Sequence, residues 1–170
     1  MTNAPPPPVW SDRPLVAADV APPGGFWIRF VAYMIDALVM LVPAAILVGI
    51  FAAFVVLTNE SIDEEEGPPA LLIVASVLLV AAMIVVNWLY EALMTSSLRG
   101  ATLGKMALGL RIVRFDGTQL SFGRATGRHF AKYMVTPMVP LAIGYIMAAF
   151  TQRKRALHDI LADTLVIKSP

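Results

Sequence analysis

The chain has 170 residues, of which 58% are apolar, and its formal net charge is only +1. Soluble globular proteins are roughly 45–50% apolar, so too little polar surface remains here to cover a soluble fold of this size. The chain contains no cysteine and only two histidines, which excludes disulfides and thiolate metal sites and leaves us expecting neither a metal nor a cofactor.

The first 25 residues are rich in proline and glycine and contain no apolar run. They lack the apolar core that a signal peptide places after a basic start. This composition predicts a disordered, partly polyproline-like tail over residues 1–25.

Two long apolar stretches follow the tail, at residues 26–57 and 70–95. A membrane span takes about 20 predominantly apolar residues, so each stretch is long enough to cross a bilayer. Pro43 lies near the middle of the first stretch and should bend that helix. We therefore predict two transmembrane helices.

The connectors on either side of the second stretch carry opposite charge. Residues 58–69 contain five acidic side chains and no basic one, whereas residues 96–132 contain seven basic side chains and one acidic one. An excess of Lys and Arg in a short loop marks the cytoplasmic side. This asymmetry predicts a cytoplasmic N-terminus, an acidic loop outside, and a basic loop, residues 96–121, inside.

Two short elements are predicted within the basic loop, outside the hydrocarbon. Thr102–Leu110 suits a short helix that lies along the interface. Asp116-Gly117, between two short extended runs, predicts a β-hairpin over residues 111–121, because glycine accepts the positive φ of a two-residue turn.

A third apolar segment, residues 122–151, leaves two alternatives open. As a single span it would export the three consecutive basic residues that follow it, and two prolines interrupt its middle. We favour a re-entrant pair of short helices, 122–136 and 139–151, with both ends cytoplasmic. The tail, residues 153–168, should then form a short helix and a last strand.

These segments together predict an all-α membrane protein. It has two transmembrane helices and, after the basic loop, a third apolar segment that is either broken and re-entrant or spanning. A small cytoplasmic cap of short helices and a β-hairpin completes the predicted membrane domain, residues 26–168.

Four polar side chains within the two apolar stretches need partners: Arg29, Asp36, Asn87 and Glu91. A charge at a helix centre costs roughly 2.5–3.5 kcal/mol on insertion scales. If the helices pack antiparallel, Asn87 is level with Asp36, and Glu91 is within reach of Arg29. We therefore expect a polar ladder, with Arg29–Glu91 near the surface and Asp36–Asn87 deeper.

The ladder has two functional interpretations. It is structural glue, since interhelical polar contacts in membranes contribute on average about 0.6 kcal/mol, or Asp36 is a proton or cation site. Catalysis is not expected, because the pair His158-Asp159 has no serine or cysteine nucleophile at a recognisable spacing. The basic loop lacks interleaved aromatic residues, so its expected partners are membrane lipids and not nucleic acid.

Three segments together resemble the RDD family of bacterial integral membrane proteins. In the first, GFWIRFVAYMIDALV, Arg29 and Asp36 match the arginine and first aspartate of the family. The second, Tyr90–Arg128, is similar to the family's T-x-G-K-x-x-x-G-L-R-V-V-x-x-D-G stretch and includes Lys105 and Arg111. The third is RKRALHDILADTLVIK, at residues 153–168.

In that third segment Asp159, which follows His158, matches the second aspartate of the family. Asp163 departs from the pattern, because the family usually has glycine before the threonine at this place. We expect Asp159 to tie the tail to the basic loop through Lys105 or Arg111.

The resemblance implies a multi-pass protein of the bacterial inner membrane, in a family for which transport and, in some members, cation/proton antiport have been suggested. We expect a transport-related protein that exchanges cations and protons through Asp36. It should act as a homo-oligomer or subunit, since two or three helices enclose no pathway. The rival is a non-transporting accessory protein that binds a larger membrane complex or lipids.

Overall fold

A computed structural model describes residues 21–59, 70–135, 150–151 and 154–168. Two long helices, α1 (Phe26–Asn59) and α2 (Ala70–Ser96), contain the two apolar stretches. The shorter elements are, in chain order, α3 (Leu103–Ala107), β1 (Leu110–Arg114), α4 (Phe122–Phe130), a π-helical turn (Ala131–Val135), α5 (Leu157–Leu161) and β2 (Thr164–Lys168).

Both long helices are long and apolar enough to cross a membrane, and none of the side chains in their most apolar windows is buried inside the described structure. Leu38, Val77 and Leu78 are each more than 60% exposed. So much apolar surface on two helices is unfavourable in water and favourable in lipid. The prediction of two long apolar helices is confirmed.

The short elements form a cap that contacts the Phe26 end of α1 and the Ser96 end of α2. Its core is small and takes side chains from several described elements, among them Ala32 of α1, Ala92 of α2, Ile112 of β1 and Val166 of β2. The described structure buries its apolar residues here, beside the spans rather than between them.

The sheet of the cap pairs β1 with β2, antiparallel, with Leu110 opposite Lys168 and Arg114 opposite Thr164. The predicted β-hairpin forms only at its turn, where the Arg114 N–H donates to the Thr118 carbonyl (2.9 Å); its predicted strand pairing is wrong, because the strand partner of β1 is β2. A turn does form at Gly117, whose φ is +82°, but β1 pairs with β2 because β2 supplies three buried apolar side chains, Leu165, Val166 and Ile167.

The chain before α1 also pairs with β2. The Gly24 N–H donates to the Val166 carbonyl (2.8 Å), and the Lys168 N–H donates to the Pro22 carbonyl (3.0 Å). The prediction of a disordered tail over residues 1–25 is wrong for residues 22–24, which pair with β2. Residues 1–20 lie outside the described part of the chain.

Two further predictions, the third apolar segment and the acidic loop, fall partly or wholly on residues that the structure does not describe. The third apolar segment is helical over Phe122–Phe130 and continues as a π-helical turn to Val135. Residues 136–149 lie outside the description, so the choice between a span and a re-entrant pair stays open. The acidic loop, 60–69, lies outside it as well.

The turn between α5 and β2 contains Asp163, at the place where glycine is usual in the family. Its φ is +52°, in the left-handed region, which aspartate tolerates better than most non-glycine residues. The Asp163 N–H donates to the Ile160 carbonyl (3.1 Å). The departure from the family pattern thus keeps the turn that glycine would favour.

Helix α3 approaches α1 at a distance that only glycine permits. A Cβ added to Gly104 would lie 2.1 Å from the Ala32 carbonyl oxygen and 2.9 Å from the carboxyl carbon of Asp36. Both separations are well inside van der Waals contact, and the closer one is to backbone inside a long helix. Gly104 therefore determines how closely the cap approaches the first span.

Gly104→Ala should lower the free energy of unfolding by about 1–3 kcal/mol or more, as overpacking does. Gly127→Ala is the matched control, because Gly127 lies inside α4 and an added Cβ there would meet no described atom within 4 Å. The control should be neutral or stabilising by up to about 1 kcal/mol. Thermal unfolding in detergent micelles compares the two, and equal midpoints would contradict the close approach.

Candidate functional site

Asp36 of α1 joins both spans to the cap. Its carboxylate accepts hydrogen bonds from the Tyr90 hydroxyl (2.7 Å), the Thr102 hydroxyl (2.6 Å) and the Gly104 N–H (2.7 Å). Three donors satisfy most of the acceptor capacity of a carboxylate. Asp36 thus has the surroundings of a structural anchor between α1, α2 and α3.

The predicted pairing of Asp36 with Asn87 is not the one in the structure. Asn87 lines the same cavity as Asp36, but within the described residues the donors to Asp36 come from Tyr90, Thr102 and Gly104. Sequence reasoning missed Tyr90, although Tyr90 precedes Glu91 and its hydroxyl is a natural partner for a buried carboxylate.

Glu91 of α2 faces three basic side chains from one segment. Its carboxylate oxygens lie 3.5 Å from Arg128 Nη1, 3.0 Å from His129 Nδ1 and 3.2 Å from Lys132 Nζ. Only 6% of the Glu91 side chain is exposed. Arg128 and Lys132 stand four residues apart, the spacing of one helix face, and that spacing is the sequence signal that would have identified them.

Asp159 of α5 is completely buried between two arginines. Arg29 Nη1 lies 2.5 Å from Oδ2, and Arg128 Nη2 lies 2.7 Å from Oδ1. The Ala156 N–H also donates to Oδ2 (3.2 Å), at the start of the helix. Burial alone would raise the pKa of Asp159, but Arg128 and Arg29 outweigh it and hold that pKa well below its usual range.

Arg29 therefore pairs with Asp159 and not, as predicted, with Glu91. The predicted link from Asp159 to Lys105 or Arg111 is also wrong. Arg111 donates to the Arg99 carbonyl (2.9 Å), and Lys105 contacts the Thr102 hydroxyl (3.4 Å). These predictions are wrong because Arg128 of α4 lies between Glu91 of α2 and Asp159 of α5. The sequence alone does not show that arrangement.

These charged groups surround a cavity of about 660 Å³ between α1, α2 and the cap, which we call the chamber. Its polar end includes Arg29, Lys105, Arg128 and Lys132, together with the two carboxylates Asp36 and Glu91. Its other end is lined by apolar side chains of α1, namely Met40, Leu41 and Ala44. Asp159 stands behind the wall, so four cations face three carboxylates in all.

Two further groups of the chamber have altered acidity. Burial lowers the pKa of Lys105 to about 8, although nearby Glu91 acts in the opposite direction. Burial also lowers the pKa of His158 to about 3, so its imidazole is neutral at pH 7. His158 lines the chamber next to Asp159.

The chamber has the chemistry of a binding site. Among the described residues, no group of three His, Asp or Glu side chains could hold a metal ion. The cluster instead offers basic side chains that are buried but already partly paired. Such an arrangement can bind an anionic group, because the added charge meets an excess of cations in surroundings of low dielectric.

Asp159→Asn should lower the free energy of unfolding by roughly 3–5 kcal/mol, because it leaves Arg29 and Arg128 buried around a neutral group. Asp163→Asn is the matched control, since Asp163 is 57% exposed and its nearest basic groups are 3.6 Å away. Asparagine also tolerates the left-handed backbone there. We expect the control to change stability by less than about 1 kcal/mol. The unfolding midpoints of both variants are measured in micelles. Equal shifts for Asp159→Asn and Asp163→Asn would contradict the ion-pairing role of Asp159.

Lys105 should make stability rise with pH. Its pKa in the folded protein is about 8, against the ordinary lysine value of 10.5 that applies to the unfolded chain, so between these values the unfolded chain binds more protons than the folded one. Stability then increases by up to about 1.4 kcal/mol per pH unit from pH 8 to pH 10.5 and is independent of this group below pH 8. Unfolding midpoints of wild type minus those of Lys105→Met should rise over that window; a flat difference would contradict the burial of a charged amine.

Comparisons with known proteins agree with a membrane assignment. A model of the RDD family matches residues 23–163. The chain is 40% identical over 149 residues to "Uncharacterized protein YxaI" of Bacillus subtilis (strain 168). The aligned region covers 85% of this chain and 97% of that protein. It is 32% identical over 149 residues to "Uncharacterized membrane protein YteJ" of the same organism. This aligned region covers 84% of this chain and 79% of that protein. No solved structure matches the chain.

Proposed function

Since this chain belongs to the RDD family of membrane proteins, we propose that it is transport-related and that its chamber binds an anionic group. The observation that carries the proposal is the surplus of buried basic side chains around the chamber. Four of them face two carboxylates in the wall and a third behind it. A cation would enter against this surplus, whereas an anion would be attracted by it.

The hydrogen bonding of the carboxylates supports an anionic ligand as well. A carboxylate that exchanges a proton for a cation has to release the donors that already contact it. Asp36 receives three hydrogen bonds, and Glu91 contacts three basic side chains. Displacing such a set of partners is costly, which favours structural roles for both groups.

Cation/proton exchange through an intramembrane carboxylate is the second candidate. One observation favours it, namely that Asp36 and Glu91 both line a cavity reached by two apolar helices. Exchange requires that Asp36 be ionisable and accessible to the cation. The three donors around Asp36 make this candidate the weaker of the two.

We further propose that the cap faces the cytoplasm, in a bacterial inner membrane, and that the chain acts as an oligomer or as a subunit. The basic side chains of the cap support this orientation. The two long helices described leave their apolar faces open, so a complete pathway would need further helices. A non-transporting accessory protein is the rival to the transport-related role.

A phosphate titration tests the anion proposal. In an uncharged detergent, inorganic phosphate should raise the unfolding midpoint of the wild type, because a ligand that binds the folded state stabilises it. Lys105→Met should lose most of this effect, since Lys105 lines the chamber. Lys168→Met, the same substitution at an exposed end of β2, is the matched control and should keep it. No response, or equal responses of all three proteins, would contradict the proposal.

Flux and mass measurements distinguish the other candidates. In proteoliposomes we expect no cation-driven proton flux; flux in the wild type that Asp36→Asn abolishes would favour exchange instead. Mass measurement in a mild detergent gives the stoichiometry of the complex. A second protein in fixed ratio, without any ligand effect on stability, would favour the accessory role.

A further inference from the structure

We infer that the occupant of the chamber is a membrane amphiphile with an anionic headgroup, such as an anionic phospholipid. Its headgroup would lie among the basic side chains of the cap end, and its acyl chain would extend along α1 toward Ala44. This inference rests on the proposed function, because it names the class of anion that the chamber takes.

The headgroup end offers an unused buried donor. Arg29 Nη1 contacts Asp159 and Arg29 Nε donates to the Gly24 carbonyl (2.8 Å), but Nη2 is buried and has no hydrogen-bond partner among the described residues. A buried guanidinium N–H without an acceptor is unfavourable. Nη2 is closed to a water molecule, so a phosphate or carboxylate oxygen of a headgroup would supply that acceptor only after the Arg29 side chain, which lines the chamber wall, turns Nη2 toward the chamber.

The opposite end of the chamber is apolar and lies deeper. The α1 residues of the wall recur every three or four positions, so they lie on one face of the helix; this face runs from Phe26 through Tyr33 and Met40 to Ala44. From Arg29 to Ala44 the helix rises by about 22 Å. That length exceeds one leaflet, about half of a hydrocarbon core of ~30 Å, so it accommodates a headgroup and an acyl chain. An inorganic anion would leave this apolar part unfilled.

Three α1 side chains of the chamber wall remain largely exposed in the described structure. Phe30, Tyr33 and Leu41 line the chamber, yet they are 45%, 46% and 60% exposed in the described structure. All three belong to a helix that is apolar enough to cross the membrane. A lipid can therefore enter from the bilayer with its headgroup near the basic cap end, where anionic lipids are attracted.

Two substitutions of neighbouring alanines test the acyl-chain site. Ala44→Phe fills the apolar end of the chamber, whereas Ala45→Phe places the same side chain on an exposed position of α1 that is absent from the chamber wall. Binding of phosphatidylglycerol and of phosphatidylcholine is measured by native mass spectrometry in an uncharged detergent. Inorganic phosphate is titrated in parallel as the anion without a tail.

We expect the wild type and Ala45→Phe to bind phosphatidylglycerol at least tenfold more tightly than phosphatidylcholine. Ala44→Phe should lose at least tenfold in affinity for phosphatidylglycerol while its response to inorganic phosphate stays unchanged. Lys105→Met should lose both responses. If Ala44→Phe does not fold, Ala37→Leu, a smaller change at an exposed position of the same wall, takes its place, with Ala45→Leu as its control.

The outcomes separate this inference from the proposed function. Equal affinities of Ala44→Phe and Ala45→Phe for phosphatidylglycerol, or no preference over phosphatidylcholine, would overturn the lipid inference. A phosphate effect that depends on Lys105 would then leave anion binding standing, with a soluble anion as its source. If Lys105→Met changed neither the lipid response nor the phosphate response, both the lipid inference and the proposed anion binding would be overturned.

Discussion

The attachment of the cap to the first span depends on one buried carboxylate. Asp159 is enclosed by Arg29 of α1 and Arg128 of α4, and a charge without solvent is tolerable there because two guanidinium groups contact it. Arg128 continues the cluster to Glu91 of α2. Four elements that are far apart in the chain are thereby held by a single set of ion pairs, and none of them can move without exposing or orphaning a charge.

A second attachment works by hydrogen bonds instead of ion pairs. Asp36 accepts its hydrogen bonds from α2, from the segment before α3 and from the Gly104 backbone, and the absence of a Cβ at Gly104 lets α3 come close enough to donate. Backbone N–H groups near the hydrocarbon need such partners, because lipid supplies none. The glycine and the aspartate therefore act together, and a change at either affects the other.

These two attachments also create the chamber. The ion pairs around Glu91 and Asp159 keep several basic side chains buried at one end of a cavity whose other end is the apolar face of α1. Electrostatic attraction is strong at the buried end because water is scarce, and dispersion and hydrophobic contact dominate at the other. A cavity with these two ends suits a ligand with the same two ends, which connects the stability of the cap to the recognition of a ligand.

Composition and charge by themselves determined that α1 and α2 are long apolar helices, because the hydrophobic effect acts on stretches of sequence and needs no knowledge of neighbours. The polar residues within those stretches also identified Arg29, Asp36 and Glu91 as groups that require partners, and the family resemblance added Asp159. Only the tertiary structure decided the partners: β1 forms its strand ladder with the distant β2, and Arg29 pairs with Asp159. The reason is that each charge and each strand edge is satisfied by whichever group the packing of the cap brings nearest. That packing cannot be inferred from how far apart the residues lie in the sequence.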